Sequence, residues 1–308
     1  MTQHKQRLTA QDFDQELLIL FDAYVHGGIS RRGFLDGAQK FATASLSAVG
    51  ILAALSPNFA MGQQVKPSDE RLSTSYTTFE SPTASGGSGT VKGYLARPAS
   101  AGSNKLPTIL VVHENRGLNP HIEDICRRLA IDGYMAFAPD ALTPLGGYPI
   151  TDAAPEDKAR ELFAKLDQAK VREDFVAAAN WLRARSDSTG KLGVTGFCFG
   201  GGMAHVLAVR LPWLAASVPF YGNHPTAADA ASVKAPLQIH FAGVDERINA
   251  AWPVYETALK AAGASYTAHS YAGTQHGFNN DTTPRYDSAA AALAWGRTMA
   301  FFGERVRG

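Results

Sequence analysis

Residues 191–211 read KLGVTGFCFGGGMAHVLAVRL. An apolar run enters a glycine-rich turn and leaves as a second apolar run with no β-branched cluster. That is the pattern of a strand feeding a helix through one sharp bend. Gly196 and Gly200 stand two residues before and two after Cys198. A turn this tight brings its flanks into close approach, so only small residues fit there, and the central residue is held in a strained backbone. The side chain at the apex is pushed out where a substrate can reach it.

Working outward, the same alternation repeats. LSTSYTTFE (72–80) and TVKGYLARP (90–98) flank the turn-rich SPTASGGSG and predict a β-hairpin. PTILVVHE (107–114) is a continuous apolar run of the kind a strand buried on both faces needs. NPHIEDICRRLAIDG (119–133) predicts a helix capped by Asn119 with Pro120 at its first position. YMAFAPDAL (134–142), LAASVPFYG (214–222), PLQIHFAGVD (236–245) and SYTAHSYAG (265–273) are further strands. The charged stretch 155–186 and the amphipathic 288–306 are helical. Strands and helices alternating at this interval predict an α/β fold, a mostly parallel sheet covered on both faces. The loop from Thr143 to Glu156 is expected to overhang the site.

Composition narrows the function. Of the 308 residues, 45% are hydrophobic and 19% charged, enough for a sizeable core. The formal net charge of +1 gives no electrostatic reason to bind nucleic acid or an anionic membrane surface. With only Cys126 and Cys198, neither a disulfide framework nor zinc-type spacing is available. No metal and no cofactor are expected.

A lone G-x-C-x-G is more often a buried structural cysteine. Chain order changes that reading. Asp245 ends an apolar strand pattern, and His276 lies in the loop after the next, so an acid and a histidine follow the cysteine at strand ends. Glu246 beside Asp245 would point the other way. Among the other histidines, His240 and His269 fall within strands, His205 on the helix after the turn, and His113 just before Glu114. His4, His26, His121 and His224 read as surface or cap residues.

The cysteine turn, the Gly243-Val244-Asp245 strand end, the QHGF loop (275–278) and VVHENRGLN (111–119) together resemble the dienelactone hydrolase family, from about residue 72 onward. The resemblance implies an α/β-hydrolase fold and a catalytic triad of Cys198, Asp245 and His276. It implies also that Glu114 contacts the thiol, keeps it neutral at rest, and takes its proton when substrate binds. Cys198 would then attack the carbonyl of a lactone or activated ester. The backbone N–H groups of Phe199 and Asn115 would hold the oxyanion, and His276 would activate water against the thioester. A competing reading pairs Glu114 with Arg116. In the family, arginines bind the substrate carboxylate; one such position is Asn280 here, and Lys158 and Arg160 offer only a loose match to another. Arg285 is a further candidate, and Tyr148, Tyr221 and Phe278 could line a more apolar pocket. The expected partner is a small lactone or ester. Rival functions are a broad-specificity exported carboxylesterase, a redox-sensing thiol protein and a silent binding domain.

The first 65 residues read as a separate extension, with 66–308 as the catalytic domain. SRRGFL (30–35), with Arg31 and Arg32, precedes an uncharged stretch from Phe41 to Gln64 and resembles a twin-arginine export signal. Its apolar centre, about fifteen residues, is short for a membrane span. The expectation is a mature N-terminus near residues 57–65, the twin-arginine translocase as partner, and a periplasmic or exported protein. An uncleaved anchor or a cytoplasmic protein are the alternatives. The competing local reading is a helix capped by Ser30, and DFDQELLILFDAYVHGG (12–28) predicts an amphipathic helix before it.

Overall fold

The computed structural model describes residues 7–307; His4 lies outside them. The chain opens with four helices, α1 (Gln15–Val25), α2 (Arg31–Ala38), α3 (Ala48–Leu55) and α4 (Phe59–Gly62). Asp14 caps α1 and Ser30 caps α2, each side chain accepting from a backbone N–H of the first turn. Ser30-Arg31-Arg32 therefore takes the local form of a helix start. The uncharged stretch after it is split between α3 and α4. Among the described residues no helix is long and apolar enough to cross a membrane. Leu17, Phe21, Tyr24, Phe34, Ile51 and Leu55 interlock as a core of their own.

The rest is built on eight strands: β1 (Leu72–Ser81), β2 (Gly89–Pro98), β3 (Leu106–Val112), β4 (Met135–Pro139), β5 (Ser188–Phe197), β6 (Ala216–Phe220), β7 (Leu237–Val244) and β8 (Tyr266–Gln275). They form one sheet in the order β1-β2-β4-β3-β5-β6-β7-β8. The expected hairpin is present, with Leu72 opposite Pro98 and Ser81 opposite Gly89. Strand β2 runs antiparallel to β4, and every pair from β4 to β8 is parallel. Between the strands lie α5 (Pro120–Ile131), α6 (Pro155–Phe163), α7 (Gln168–Ala184), α8 (Phe199–Arg210), α9 (Glu246–Asn249) and α10 (Trp252–Ala261), and α11 (Ser288–Phe302) follows β8. The predicted helical stretch 155–186 is broken at Asp167, whose side chain accepts from Ala169 and Lys170 and starts α7 anew.

The apolar run of β3 is explained by burial on both faces. Leu110 and Val112 pack in the core with α7, α8 and α10, whereas Ile109 and Val111 pack in the core with α5 and α11. The chain leaves β3 for β4 on one side and returns to β5 on the other. The order thus reverses at β3, and the crevice at the C-terminal ends of β3 and β5 is where such sheets place their sites.

Candidate active site

At the end of β5 the chain turns on Cys198, whose φ of 56° and ψ of −112° lie in a region a side chain rarely adopts. The turn needs its glycines. A Cβ on Gly196 would stand 2.1 Å from the carbonyl oxygen of Gly200, and one on Gly200 would stand 2.2 Å from that of Val112. The Cys198 N–H donates to the Phe220 carbonyl at 3.1 Å, which ties the elbow to β6. Phe199 is the first residue of α8, so its N–H lies outside the helix's own hydrogen bonds. Asn115, in the loop after β3, has its side-chain amide bonded to the Val25 carbonyl at 2.9 Å.

Asp245 and His276 meet although 31 residues apart, His276 Nδ1 lying 2.6 Å from Asp245 Oδ2. Both are buried. The carboxylate fixes the proton on Nδ1 and leaves Nε2 as a lone pair, and Nε2 has no partner among the described residues. Tyr221 and Phe278 are fully buried behind this ring, Tyr221 at 4.9 Å between centroids, so they serve as its packing wall.

Not expected is a second imidazole beside the sulfur. His26, at the C-terminal end of α1, places Nε2 3.2 Å from Cys198 Sγ. It read as a surface or cap residue; it caps α1, but its ring is largely buried in the crevice. The nearest donor atoms of His26, Cys198 and His276 lie within 4.8 Å of one another. Sulfur and imidazole nitrogens of this kind suit a soft metal ion; here His26 bonds the sulfur, and the rings are held from behind by Asp22 and Asp245. Burial alone would push the Cys198 thiol up; the two imidazoles, His26 foremost, outweigh it and hold the thiol down at about 5. Burial likewise pushes His26 down, and the facing sulfur and Asp22 raise it to about 10.

Glu114 is half-buried and accepts from Asn280 Nδ2 at 2.9 Å. Arg116 does not take it; its guanidinium lies 3.8 Å from Glu156 and donates to Asn115 Oδ1 at 2.7 Å. The thiol held neutral by Glu114, which the family resemblance implies, thus differs from this arrangement, in which the sulfur faces His26. Arg160 stacks on Tyr24 of α1, 4.4 Å from the ring, and donates to its hydroxyl at 3.3 Å. Tyr148 donates to Glu156 at 2.8 Å, in a loop that lines a cleft shared with Tyr76, Lys92 and Glu123. That loop reaches the small cavity beside Glu114 and Asn115 through Glu156. Helix α1 closes another wall of it, with Phe21, Tyr24 and Val25 facing Glu114 and Asn115. A groove of about 560 Å³ remains beside His276, lined by Leu18, Ile19, Asp22, Val244 and Arg247. His121 is likewise buried rather than exposed, 3.3 Å from Asp281. His113 bridges β3 and β4, accepting from the Ala141 N–H at 3.1 Å.

Known proteins agree with this architecture. Residues 91–306 match the dienelactone hydrolase family, and residues 4–42 match a second family described as YqhI-like. The hydrolase fragment YghX of Escherichia coli strain K12 is 47% identical over 122 residues, 40% of this chain and 97% of its own. A protein of Salmonella typhi named as a carboxymethylenebutenolidase is 34% identical over 223 residues, 68% of this chain and 82% of its own. A crystal structure named as a dienelactone hydrolase of Klebsiella pneumoniae superposes with a TM-score of 0.62 at 29% identity, covering 75% of this chain and 99% of that one. With the family match spanning most of the chain and the elbow, sheet order and strand-end residues in their places, this protein belongs to the dienelactone hydrolase family.

Proposed function

We propose that this hydrolase opens lactones or cleaves activated esters with Cys198 as nucleophile, His276 as base and Asp245 as its orienter. The observation that supports it is the thiol on a strained elbow beside an imidazole whose Nδ1 is bound to a buried carboxylate at 2.6 Å. Attack by sulfur places the carbonyl oxygen toward the N–H groups of Phe199 and Asn115, where developing charge is stabilised. The carbon–oxygen bond breaks, the leaving oxygen takes a proton, and water activated at His276 Nε2 cleaves the thioester.

Between substrate classes, the neutral ester has specific observations on its side. Asn280 adds no positive charge next to Glu114, and Arg160 is occupied by Tyr24. At these two positions an anionic substrate would lack the paired, charge-assisted contacts that select carboxylates, which leaves Arg247 and the Asp22-paired Arg285 as the cations lining the groove. Steady-state hydrolysis of cis-dienelactone beside p-nitrophenyl acetate is the test. We expect the neutral ester to be preferred and Cys198→Ala to lose at least about a thousandfold in kcat. Hydrolysis retained by Cys198→Ala would sink the nucleophile assignment. Reversible oxidation of Cys198 with no hydrolysis of either substrate would favour the sensor reading.

Export rests on Arg31 and Arg32 in their sequence context, and with it the translocase as partner and a periplasmic location. The packed helices around those arginines, and the 3.3 Å contact of Arg31 Nε with Asp157 of α6, support retention of the segment in the working enzyme. N-terminal sequencing of the protein from its native cells separates the two, with a start near 57–65 for a cleaved signal.

A further inference from the structure

We infer that His26, carried by the N-terminal helices, is a catalytic residue of this site: the base that takes the Cys198 proton in the resting enzyme. The inference rests on the nucleophile reading above and assigns the proton acceptor to His26 instead of Glu114.

The tautomer follows from the partners. His26 Nδ1 lies 2.8 Å from the Asp22 carbonyl oxygen, which can only accept, so Nδ1 carries hydrogen and Nε2 presents a lone pair to the sulfur 3.2 Å away. Asp22 Oδ2, at 3.2 Å from the same Nδ1, repeats the relation of Asp245 to His276. Two carboxylate–imidazole pairs therefore converge on one thiol, their rings 4.8 Å apart and near perpendicular. His26 closes the last turn of α1, where the helix dipole favours a cation. Gly27, at φ 80°, then reverses the chain, so the ring stays seated in the crevice.

Every packed element presents a charged or titratable group here. From α1 comes Asp22, held in place by Arg285 Nη1 at 3.3 Å. From the ends of β7 and β8 come Asp245 and His276, and from the loop after β3 comes Glu114, turned to Asn280. Tyr221 faces the site from the end of β6. Arg247 of α9, 3.3 Å from His26 Nε2, opposes a second positive charge, but its side chain is 40% exposed and solvent screens it.

The proton balance is simple. The S–H bond breaks, its proton moves to His26 Nε2, and thiolate faces imidazolium. Attack forms the C–S bond, the carbonyl–oxygen single bond breaks, and the imidazolium proton goes to the leaving oxygen. Both imidazoles are then neutral. His276 Nε2 takes a proton from water as hydroxide adds to the thioester carbon. The C–S bond breaks with its electrons on sulfur, and the proton held by His276 passes to His26 to restore the pair. Two bases divide two jobs that one histidine must otherwise perform in turn.

The test is the pH dependence of Cys198 alkylation by iodoacetamide in the full-length chain, read without substrate by peptide mass. The wild-type rate is expected to stay flat from pH 6 to 9. In His26→Gln the midpoint should rise by about two units, making the rate at pH 6 about tenfold lower than at pH 9. Asp22→Asn should move it the same way by less, and Glu114→Gln should leave it in place. Added imidazole should restore part of the low-pH esterase activity of His26→Ala, which a purely structural role would not allow. An unchanged midpoint in folded His26→Gln and Asp22→Asn overturns the proposal even if Cys198→Ala is inactive. So does a shift produced by Glu114→Gln alone. Activity surviving in Cys198→Ala is a separate failure, that of the nucleophile reading.

Discussion

At Cys198 the backbone is held at a positive φ by a turn whose neighbours tolerate no side chain, so the sulfur is aimed before any substrate arrives. Its chemistry is then set by what faces it. Cys126 supplies the internal contrast. It is fully buried among apolar side chains of α5, burial pushes its thiol up, and it should stay unalkylated under conditions that label Cys198. Asp245 acts one bond removed, by holding His276 in the tautomer that leaves Nε2 bare. Asp245→Asn is expected to keep the fold and lower kcat by about a hundred- to ten-thousandfold, chiefly by stabilising the wrong tautomer. Steady-state kinetics with an unchanged melting temperature would establish that, whereas a loss below threefold would show that His276 needs no orienter.

Helix α1 is the element that distinguishes this site. Its apolar face, Leu17, Leu18, Phe21 and Tyr24, packs on Phe34 of α2 and on Ile51 and Leu55 of α3. Its C-terminal turn reaches the crevice with His26. The segment is fastened at both ends: Tyr24 donates to Asp157 and supports Arg160, while Gln64 and Val65 donate to Asp124 at 3.2 and 2.8 Å. Phe34 is fully buried at the centre of this small core. Phe34→Ala should cost the segment about 3–5 kcal/mol without touching the sheet. Trypsin would then cut at Arg31, Arg32 and Lys40 much faster, while the main thermal transition stays within a few degrees. Equal protection in mutant and wild type would show that the helices are held by the catalytic domain alone.

For the whole molecule, the thiol–imidazole pair couples the extension to the hydrolase core, and stability should report it. His26 is raised in the folded chain to about 10 from 6.5, so its contribution is complete below pH 6.5 and is lost as pH rises through 10. Cys198 is lowered to about 5 from 9.0, so its contribution is complete above pH 9.0 and is lost as pH falls through 5. Between 6.5 and 9.0 folding takes up one proton at His26 and releases one at Cys198, and the slopes cancel. The difference in melting temperature between wild type and His26→Gln is therefore expected to be level across that window and to shrink toward pH 5 and toward pH 10. A difference independent of pH would mean the ring contributes packing only. By itself the sequence determined the sheet and its elbow, because apolar period, glycine spacing and chain order are local properties, and Cys198, Asp245 and His276 each announce themselves at a strand end. His26 read from the sequence only as a surface or cap residue, four positions after Asp22 on α1. Its destination was not legible there. Only the tertiary structure decided that α1 turns its last residue onto the sulfur, that Glu114 binds Asn280, and that Arg160 stacks on Tyr24. Each of these joins residues more than a hundred positions apart, through contacts that no local pattern encodes.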